Sequence, residues 1–266
     1  MRDFNIAKYN DIQILEIINS FRFIPLQVLT RILMERKFYS SYQAVSRAVL
    51  RMKDKGLIRT IYYTNNAKII FLSKLGSRAL SQGMGVDEEN MNCPERLTGV
   101  NYFALEHTIK VANLYLLILR ECQKHNISIK SFKGDHFTRY EYQFRAVSSG
   151  KTIKRYVMPD AELDIHTNEG KGYTIWIEYD RGTEYLKDVA VKYMKYFEYY
   201  DEVIEKQNWY PIILFITENT KQRINNLVVK DENYDGEWEW QNSNKSYKNV
   251  VLKGVAMADN IRNMNT

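Results

Sequence analysis

The chain has 266 residues, 45% of them hydrophobic and 26% charged, which suits a globular protein of one large domain or two modest ones. Its net charge of +6 lies entirely in residues 1–90, which hold 14 Lys and Arg against 8 Asp and Glu, because residues 91–266 carry 24 of each kind. The sequence lacks the roughly 18 consecutive apolar residues of a membrane span, a secretory start pattern, and enough cysteines for a disulfide framework or a thiolate zinc site. We therefore expect a cytoplasmic protein without membrane association whose basic first third binds a polyanion. The alternative is a basic face that only keeps the protein soluble.

The first third of the chain predicts three helices, a β-hairpin and a fourth helix. Apolar residues recur at helical spacing, Pro25 suits a first helical turn, and Gly56 suits the end of the third helix. Asn10 or Asp11 is expected to cap the first helix, and Ser40 or Ser41 the third. The segments are 10–21, 24–34 and 39–60 for the three helices, the last ending at Gly56, then 57–73 for the hairpin with its tip at Asn65 and Asn66, and 73–83 for the fourth helix.

This order of elements is typical of a winged helix-turn-helix domain, which we place at residues 8–84. In that fold the third helix enters the major groove and the hairpin contacts the DNA backbone or the minor groove. Glutamine and arginine can read base edges, while serine and lysine suit phosphates. The candidate DNA-binding residues are Gln43, Ser46, Arg47, Arg51 and Lys53 on the third helix, and Arg59 and Lys68 on the hairpin. The alternative is a winged helix used for contacts with proteins.

The middle of the chain predicts a linker and a long core helix. Residues 85–100 are polar and contain glycine, proline and an acidic triplet. Residues 101–126 have the spacing of a helix with one apolar stripe. We therefore expect a second domain over 101–266 that begins with this helix. Its later part predicts extended segments around 127–146, a buried strand over 210–217, a long loop over 229–248 and a last strand over 249–257.

Carboxylates gather at the ends of two predicted strands that form a hairpin. In the first strand (157–165) Asp160 lies on the polar face, and in the second (173–180) Glu178 and Asp180 do so. An antiparallel pairing that keeps the apolar faces together places Asp160 opposite Glu178 or Asp180. Carboxylates at that distance repel each other unless a positive charge lies between them, and Mg²⁺ suits such a site. We therefore predict Asp160 and Glu178 as ligands of Mg²⁺, which could activate a water molecule and polarise a phosphodiester.

The alternative is a hairpin whose carboxylates are neutralised by neighbouring cations. Arg181, Lys187 and Lys192 follow the second strand closely in the sequence. An apolar stripe predicts a helix from about Thr183 to about Lys206. Lys192 lies on this helix and could reach back towards the hairpin.

Four segments of the second domain form a wider pattern: LEHTIKVANLYLLI at 105–118, MPDAEL at 158–163, TIWIEYDRGTEYL at 174–186 and VKYMKYFEYY at 191–200. Together with the preceding helices they resemble the replication-relaxation family of plasmids and integrative elements. The family joins an N-terminal winged helix to a domain with a Pro-Asp strand, a Glu-x-Asp-Arg-Gly-Thr-Glu segment and a helix that ends in tyrosines. The resemblance implies a role in the replication of a mobile element and in the topological state of its DNA.

The second domain is also similar to the PD-(D/E)xK nuclease fold, an α/β core shared by restriction and repair nucleases. By that resemblance the catalytic positions are Asp160, Glu178, Asp180 and Lys192. Asp180 stands where the motif has its lysine, which normally helps to position the attacking water. In some relatives this lysine lies on the next helix, where Lys192 is the candidate. The predicted fold class is therefore α+β or α/β, with an N-terminal winged helix-turn-helix followed by a PD-(D/E)xK nuclease-like α/β domain.

Three functions remain open at the level of the sequence. We expect a protein that binds double-stranded DNA and acts in the replication or DNA relaxation of a mobile element, together with its replication or conjugation proteins. In that case the nuclease-like domain serves binding or assembly. The first alternative is a Mg²⁺-dependent DNA endonuclease. The second is a transcription regulator whose second domain forms a homodimer or senses a ligand.

Overall fold

The computed structural model describes residues 9–63, 67–93, 102–145, 150–181, 185–204, 211–217, 238–241 and 249–253. Their contacts divide the chain into two compact units, Met1–Ile127 and Ser128–Thr266. Both units combine helices with antiparallel sheet, and the second also has one parallel strand pair. No helix within the described ranges is long and apolar enough to cross a membrane.

The first unit contains five α-helices, one 3₁₀ turn over Glu88–Asn90 and a small antiparallel sheet among its described residues. The sheet has the order β1-β3-β2, and Phe23, Ile69, Phe71 and Leu105 form one of its core clusters. The elements are α1 (Tyr9–Phe21), β1 (Ile24–Pro25), α2 (Leu26–Glu35), α3 (Tyr42–Asp54), β2 (Ile58–Tyr63), β3 (Ala67–Leu72), α4 (Lys74–Met84) and α5 (Tyr102–Lys124).

Local sequence signals explain where these helices begin and end. Pro25 precedes the first residue of α2, and the Ser41 hydroxyl accepts a hydrogen bond from the backbone N–H of Ala44 at the start of α3. Gly56 follows α3 with a φ of +73°, a conformation that glycine adopts without strain. The predicted order of helices and hairpin is observed. The predicted cap of the first helix is wrong, because Asn10 and Asp11 both lie inside α1.

The long helix α5 packs within the first unit. The rings of Tyr115 on α5 and Phe21 on α1 meet edge to face with their centroids 5.2 Å apart, and Arg120 pairs with Glu35 of α2 over 2.8 Å. The contacts therefore group α5 with the elements before it rather than with those after it. The predicted domain limits, with a linker over 85–100, stay a prediction, and residues 94–101 lie outside the described ranges.

The second unit is built on a six-stranded sheet of order β10-β11-β9-β8-β7-β4, with a separate two-stranded sheet formed by β5 and β6. One helix, α6, connects β8 to β9, and one π-helical turn over Tyr200–Ile204 continues it. The elements are β4 (Ser128–Gly134), β5 (Tyr140–Arg145), β6 (Thr152–Val157), β7 (Ala161–His166), β8 (Gly172–Asp180), α6 (Leu186–Tyr199), β9 (Ile212–Thr217), β10 (Trp238–Gln241) and β11 (Asn249–Lys253).

The predicted hairpin of β7 and β8 forms and lies between β9 and β4 in this sheet. The sequence predicts its first strand from residue 157, but β7 begins at Ala161, so Asp160 lies just before the strand. The turn of the hairpin is closed by hydrogen bonds between Thr167 and Lys171 and between Gly170 and Thr167, and Gly170 has a φ of +78°. β9 then pairs parallel to β8, which requires the crossover that α6 supplies. Two local predictions differ from the structure: β6 has no counterpart among the predicted strands, and β10 lies inside the loop predicted over 229–248.

Candidate functional site

Asp160 and Glu178 come together where β7 begins and β8 nears its end. β7 and β8 pair with Ala161 opposite Ile177, so one further step in this register sets Asp160 opposite Glu178. The Asp160 Oδ2 atom accepts a 2.7 Å hydrogen bond from the backbone N–H of Tyr179. The backbone of β8 thus holds one carboxylate beside the strand that carries the other.

Glu178 is buried and bound by two side chains of α6. Only 1% of its surface is exposed. The Lys192 ammonium donates to Oε2 over 2.8 Å, and the Tyr196 hydroxyl donates to Oε1. Lys192 and Tyr196 are four residues apart, so both lie on the same side of α6. The helix α6, which follows β8 in the chain, therefore places a lysine and a tyrosine against the acid on that strand.

Burial controls the protonation of Glu178. Removal from water and repulsion by the Asp160 carboxylate raise the pKa of Glu178, and attraction by the Lys192 ammonium only partly offsets them, so the pKa is about 7. Burial and the neighbouring Glu178 also raise the pKa of Tyr196 well above its ordinary value, which keeps its hydroxyl protonated as a donor. A carboxyl group with a pKa near neutrality can take up or release a proton in an ordinary cellular environment.

The donors around this site fit a Mg²⁺ ion poorly in their present arrangement. Both oxygens of Glu178 already accept hydrogen bonds from Lys192 and Tyr196. Among the described residues, no group of three or more His, Cys, Asp or Glu side chains is arranged to hold a metal ion. The cation that faces Glu178 is therefore Lys192, and a metal ligated by Glu178 would have to displace that ammonium.

A second buried carboxylate, Glu162, anchors the neighbouring part of the sheet. Lys133 donates to Oε1 over 2.6 Å, and the Trp176 Nε1–H donates to Oε2 over 2.9 Å. The hydroxyl of Tyr140 also donates to Oε2, and its ring stacks on Trp176 with centroids 5.0 Å apart. These contacts connect Glu162 to the aromatic core under β7 and β8, so its role is structural.

The other predicted residues of this region are only partly described. Asp180 is buried at the end of β8, where its backbone pairs with Thr217 of β9. Residues 182–184 lie outside the described ranges, as does the side chain of Lys187. Of the Arg-Gly-Thr-Glu segment, the described ranges include Arg181, which is half-buried.

The outer side of α3 presents polar and basic side chains to solvent. Gln43, Arg47 and Lys53 are exposed, and Ser46 is half-buried. Leu50 lies between them with 55% of its surface exposed. These positions repeat at three- and four-residue intervals, so they form one continuous stripe along the helix.

Arg51 differs from the other candidate DNA-binding residues because it binds a buried acid. Its guanidinium lies 2.5 Å from the Asp11 carboxylate, which is fully buried in α1, and Lys55 lies 3.6 Å from the same group. The hydrogen bond with Asp11 raises the pKa of Arg51. Arg51 therefore joins α3 to α1 and has a structural role whatever else it contacts.

On the hairpin, Arg59 is exposed and Lys68 is half-buried. Lys68 pairs across the strands with Tyr62, a tyrosine with 71% of its surface exposed. The hairpin tip at residues 64–66, including the predicted turn at Asn65 and Asn66, lies outside the described ranges. The described part of the hairpin thus carries two basic side chains and one exposed aromatic ring.

Most of the sequence matches the model of one known protein family. A family model described as replication-relaxation matches residues 15–211, which run from within α1 to the residue before β9. The chain belongs to the replication-relaxation family. This membership points to a role in the replication and relaxation of mobile elements. No curated protein and no solved structure gives a significant match to the chain.

In this replication-relaxation protein the structure brings together Asp160, Glu178 and Lys192, and it sets Arg51 apart from Arg47 and Lys53 on α3. Sequence reasoning missed Tyr196, although its position four residues after Lys192 was a usable signal. It also missed the pairing of Asp11 with Arg51, which are forty residues apart in the sequence.

Proposed function

We propose that this replication-relaxation protein binds double-stranded DNA of a mobile element through its first unit, with that unit acting as a winged helix. The exposed stripe of α3 carries the proposal. Gln43, Arg47 and Lys53 offer one amide and two cations on the outer side of the helix that a winged helix inserts into the major groove. The observed order of helices and hairpin, and the pairing of β1 with β3, support this interpretation.

The distribution of charge supports the same proposal. Residues 1–90 contain the whole excess of 14 Lys and Arg over 8 Asp and Glu, and a localised basic surface attracts the phosphate backbone. Arg59 and Lys68 on the hairpin would contact phosphates beside the groove. We propose that the protein acts in the cytoplasm, as a monomer or a homodimer, together with replication or conjugation proteins of the element.

The test measures the affinity for a labelled duplex of about 30 base pairs by fluorescence anisotropy, from about 50 to about 200 mM salt. We expect Arg47→Ala to weaken binding about tenfold. Lys53→Ala should reduce the slope of the logarithm of the affinity against the logarithm of the salt concentration by about one. Lys124→Ala is the matched control for Lys53→Ala. It removes the same charge from the last turn of another helix, α5, and should leave the affinity within about twofold.

Equal losses in Lys53→Ala and Lys124→Ala would contradict the proposal, because only net charge would then matter. Arg51→Ala is unsuitable as a test of recognition. Its loss would also remove the ion pair with Asp11, so weaker binding could come from a distorted helix.

A second candidate function is the cleavage of DNA by a PD-(D/E)xK-like second unit. The observation that favours it is the meeting of Asp160, Glu178 and Lys192 on the core of β7, β8 and α6. An acid with a pKa of about 7 beside a lysine could exchange a proton during hydrolysis. We propose no step through Mg²⁺, because the donors fit the ion only if Lys192 leaves Glu178.

Nicking of a supercoiled plasmid with Mg²⁺ or Mn²⁺ tests this second function. If the unit cleaves DNA, Asp160→Asn and Glu178→Gln should both abolish nicking while duplex binding stays unchanged. Glu169→Gln, in the exposed turn between β7 and β8, is the control for the loss of one acid. Nicking that survives in Glu178→Gln would show that the activity comes from elsewhere.

A further inference from the structure

The second unit has a groove that neither proposed function uses. It encloses about 380 Å³ between β6 and α6. β6 contributes three consecutive residues, Lys154, Arg155 and Tyr156. Successive side chains of a strand point to opposite faces, so a groove lined by three in a row runs along the edge of the strand. This edge is the one away from β5, because no residue of β5 lines the groove.

The opposite wall is one side of α6. It is formed by Val191, Met194, Lys195 and Glu198, whose spacing of three and four residues places them on one helix face. Val191 and Met194 are 51% and 58% exposed. Two large apolar side chains on the wall of a concave surface are typical of a protein contact site.

The lining of the groove holds three cations and one acid, and most of these charges are already paired. Arg155 pairs with Glu198 across the two walls, and the Lys195 ammonium lies 5.5 Å from the centre of the Tyr156 ring. Among the described residues Lys195 forms no ion pair with a carboxylate. Lys154 pairs with a glutamate of β5, so Lys195 is the cation of the lining that an incoming carboxylate would find available.

The edge of β6 offers backbone groups to the same ligand. β6 belongs to a two-stranded sheet in which it pairs with β5. Within the described part of the chain, no strand pairs with its other edge. An exposed strand edge is a template for an added strand.

We propose that this groove binds an acidic segment of a partner protein, with apolar residues between its carboxylates, as an extended strand added to β6. The strand would bond to the β6 backbone, place apolar side chains on Val191 and Met194, and pair a carboxylate with Lys195. This proposal is independent of DNA binding and DNA cleavage. It adds a protein-recognition site to the second unit.

A single strand of DNA is the competing ligand, and the structure favours the peptide. Residues 91–266 carry 24 basic and 24 acidic side chains, so this part of the chain lacks the overall excess of a polyanion binder. Tyr156 is the groove's one aromatic residue among those described. The Arg139 guanidinium, 4.0 Å from its ring centre, already covers part of the surface that a base would need for stacking.

The test selects peptides of about twelve residues from a random displayed library on the full-length protein and measures the affinity of the selected peptides. We expect them to be rich in Asp and Glu with apolar residues at alternate positions. Met194→Asp and Lys195→Glu should each weaken binding at least about tenfold. Met84→Asp changes another exposed methionine, on α4, and should leave the affinity unchanged. Because all three side chains are partly exposed, the melting temperature should not move.

Hydrogen exchange at β6 separates strand addition from other modes of binding. Bound peptide should slow exchange of the amides of Thr152–Val157, and Met194→Asp should abolish that protection. Selected peptides that bind Met194→Asp as well as wild type would overturn the proposal. Met194-dependent binding of an oligonucleotide of about twelve bases, without any such peptide, would also overturn it in favour of single-stranded DNA.

Discussion

Asp11 in the first unit and Glu178 in the second are both buried carboxylates, but the charges around them differ. Asp11 lies 2.5 Å from Arg51 and 3.6 Å from Lys55. Glu178 meets one lysine and is repelled by a second acid, Asp160. At Asp11 the two cations outnumber the buried acid and join α3 to α1. At Glu178 one cation only partly offsets burial and the second acid, so the pKa rises into the range where the carboxyl group can exchange a proton. Burial alone therefore does not mark a functional carboxylate, and the charge balance around it is more informative.

The largest expected effect is the loss of Lys192, the one cation that the described residues place at Glu178. At about pH 8 we expect Lys192→Met to lower the free energy of unfolding by about 3 kcal/mol, because it leaves a buried carboxylate with the Tyr196 hydroxyl but without its cation. At about pH 5 the loss should be below about 1 kcal/mol, because Glu178, with a pKa of about 7, is then protonated. Urea unfolding followed by tryptophan fluorescence measures it, since all four tryptophans lie beyond residue 127.

Lys195→Met is the matched control for this experiment. Lys195 lies three residues further along α6, and its ammonium lies 5.5 Å from the centre of the Tyr156 ring. It should change the stability by less than about 0.5 kcal/mol at either pH. A loss in Lys192→Met of the same size at both pH values would contradict the role of the Glu178 charge.

The next effect concerns the pH dependence of the wild-type protein. The pKa of Glu178 is about 7 in the folded protein, against an ordinary value of 4.5. The folded state therefore binds this proton more tightly, and the resulting stability is full below about pH 4.5 and lost as the pH rises through about 7. The contribution is on the order of 3 kcal/mol. Glu178→Gln should flatten the stability curve over this window, whereas Glu169→Gln should not; parallel curves for wild type and Glu178→Gln would refute the raised pKa.

The sequence predicts the pairing of β7 with β8 better than it predicts the side chains that bind Glu178. The pairing of β7 with β8 follows from alternation with period two, because a slip of one residue would turn the apolar face of Leu163 and Ile177 outwards. The partners of Glu178 depend instead on how α6 crosses back over the sheet. Period and spacing place Lys192 and Tyr196 on one helix face, but they do not give the distance of that face from β8.

Local signals also mislead where a tertiary contact overrides them. Asp11 has the residue type and the position of a helix cap, yet its carboxylate binds Arg51 on another helix. β6 escapes prediction because Arg155 lies between Ile153 and Val157 on the strand face that a period of two would make apolar. That arginine is tolerated there because Glu198 of α6 pairs with it, which no property of residues 152–157 could indicate.

A smaller loss is expected when the surplus of cations at Asp11 is reduced. Arg51→Met should lower the free energy of unfolding of the first unit by about 2 kcal/mol, less than for a fully buried pair, because Lys55 remains and Arg51 is partly exposed. Circular dichroism of the helices measures it. Arg47→Met, a change of the same kind on the exposed stripe of α3, is the control. Adding Asp11→Asn to Arg51→Met should recover part of the loss, and no recovery would mean that Arg51 acts through packing alone.

The smallest effect comes from an ion pair without a buried member. Lys124 and Glu121 on α5 lie 2.6 Å apart with more than half of each side chain exposed, so solvent screens their attraction and neither group loses much hydration on folding. Lys124→Ala should therefore lower the stability by less than about 0.5 kcal/mol, and added salt should remove the difference. The distance in this pair is shorter than that between Lys192 and Glu178. If Lys124→Ala cost as much as Lys192→Met, contact distance rather than charge balance at a buried acid would determine the energies, and the distinction between the two units would not hold.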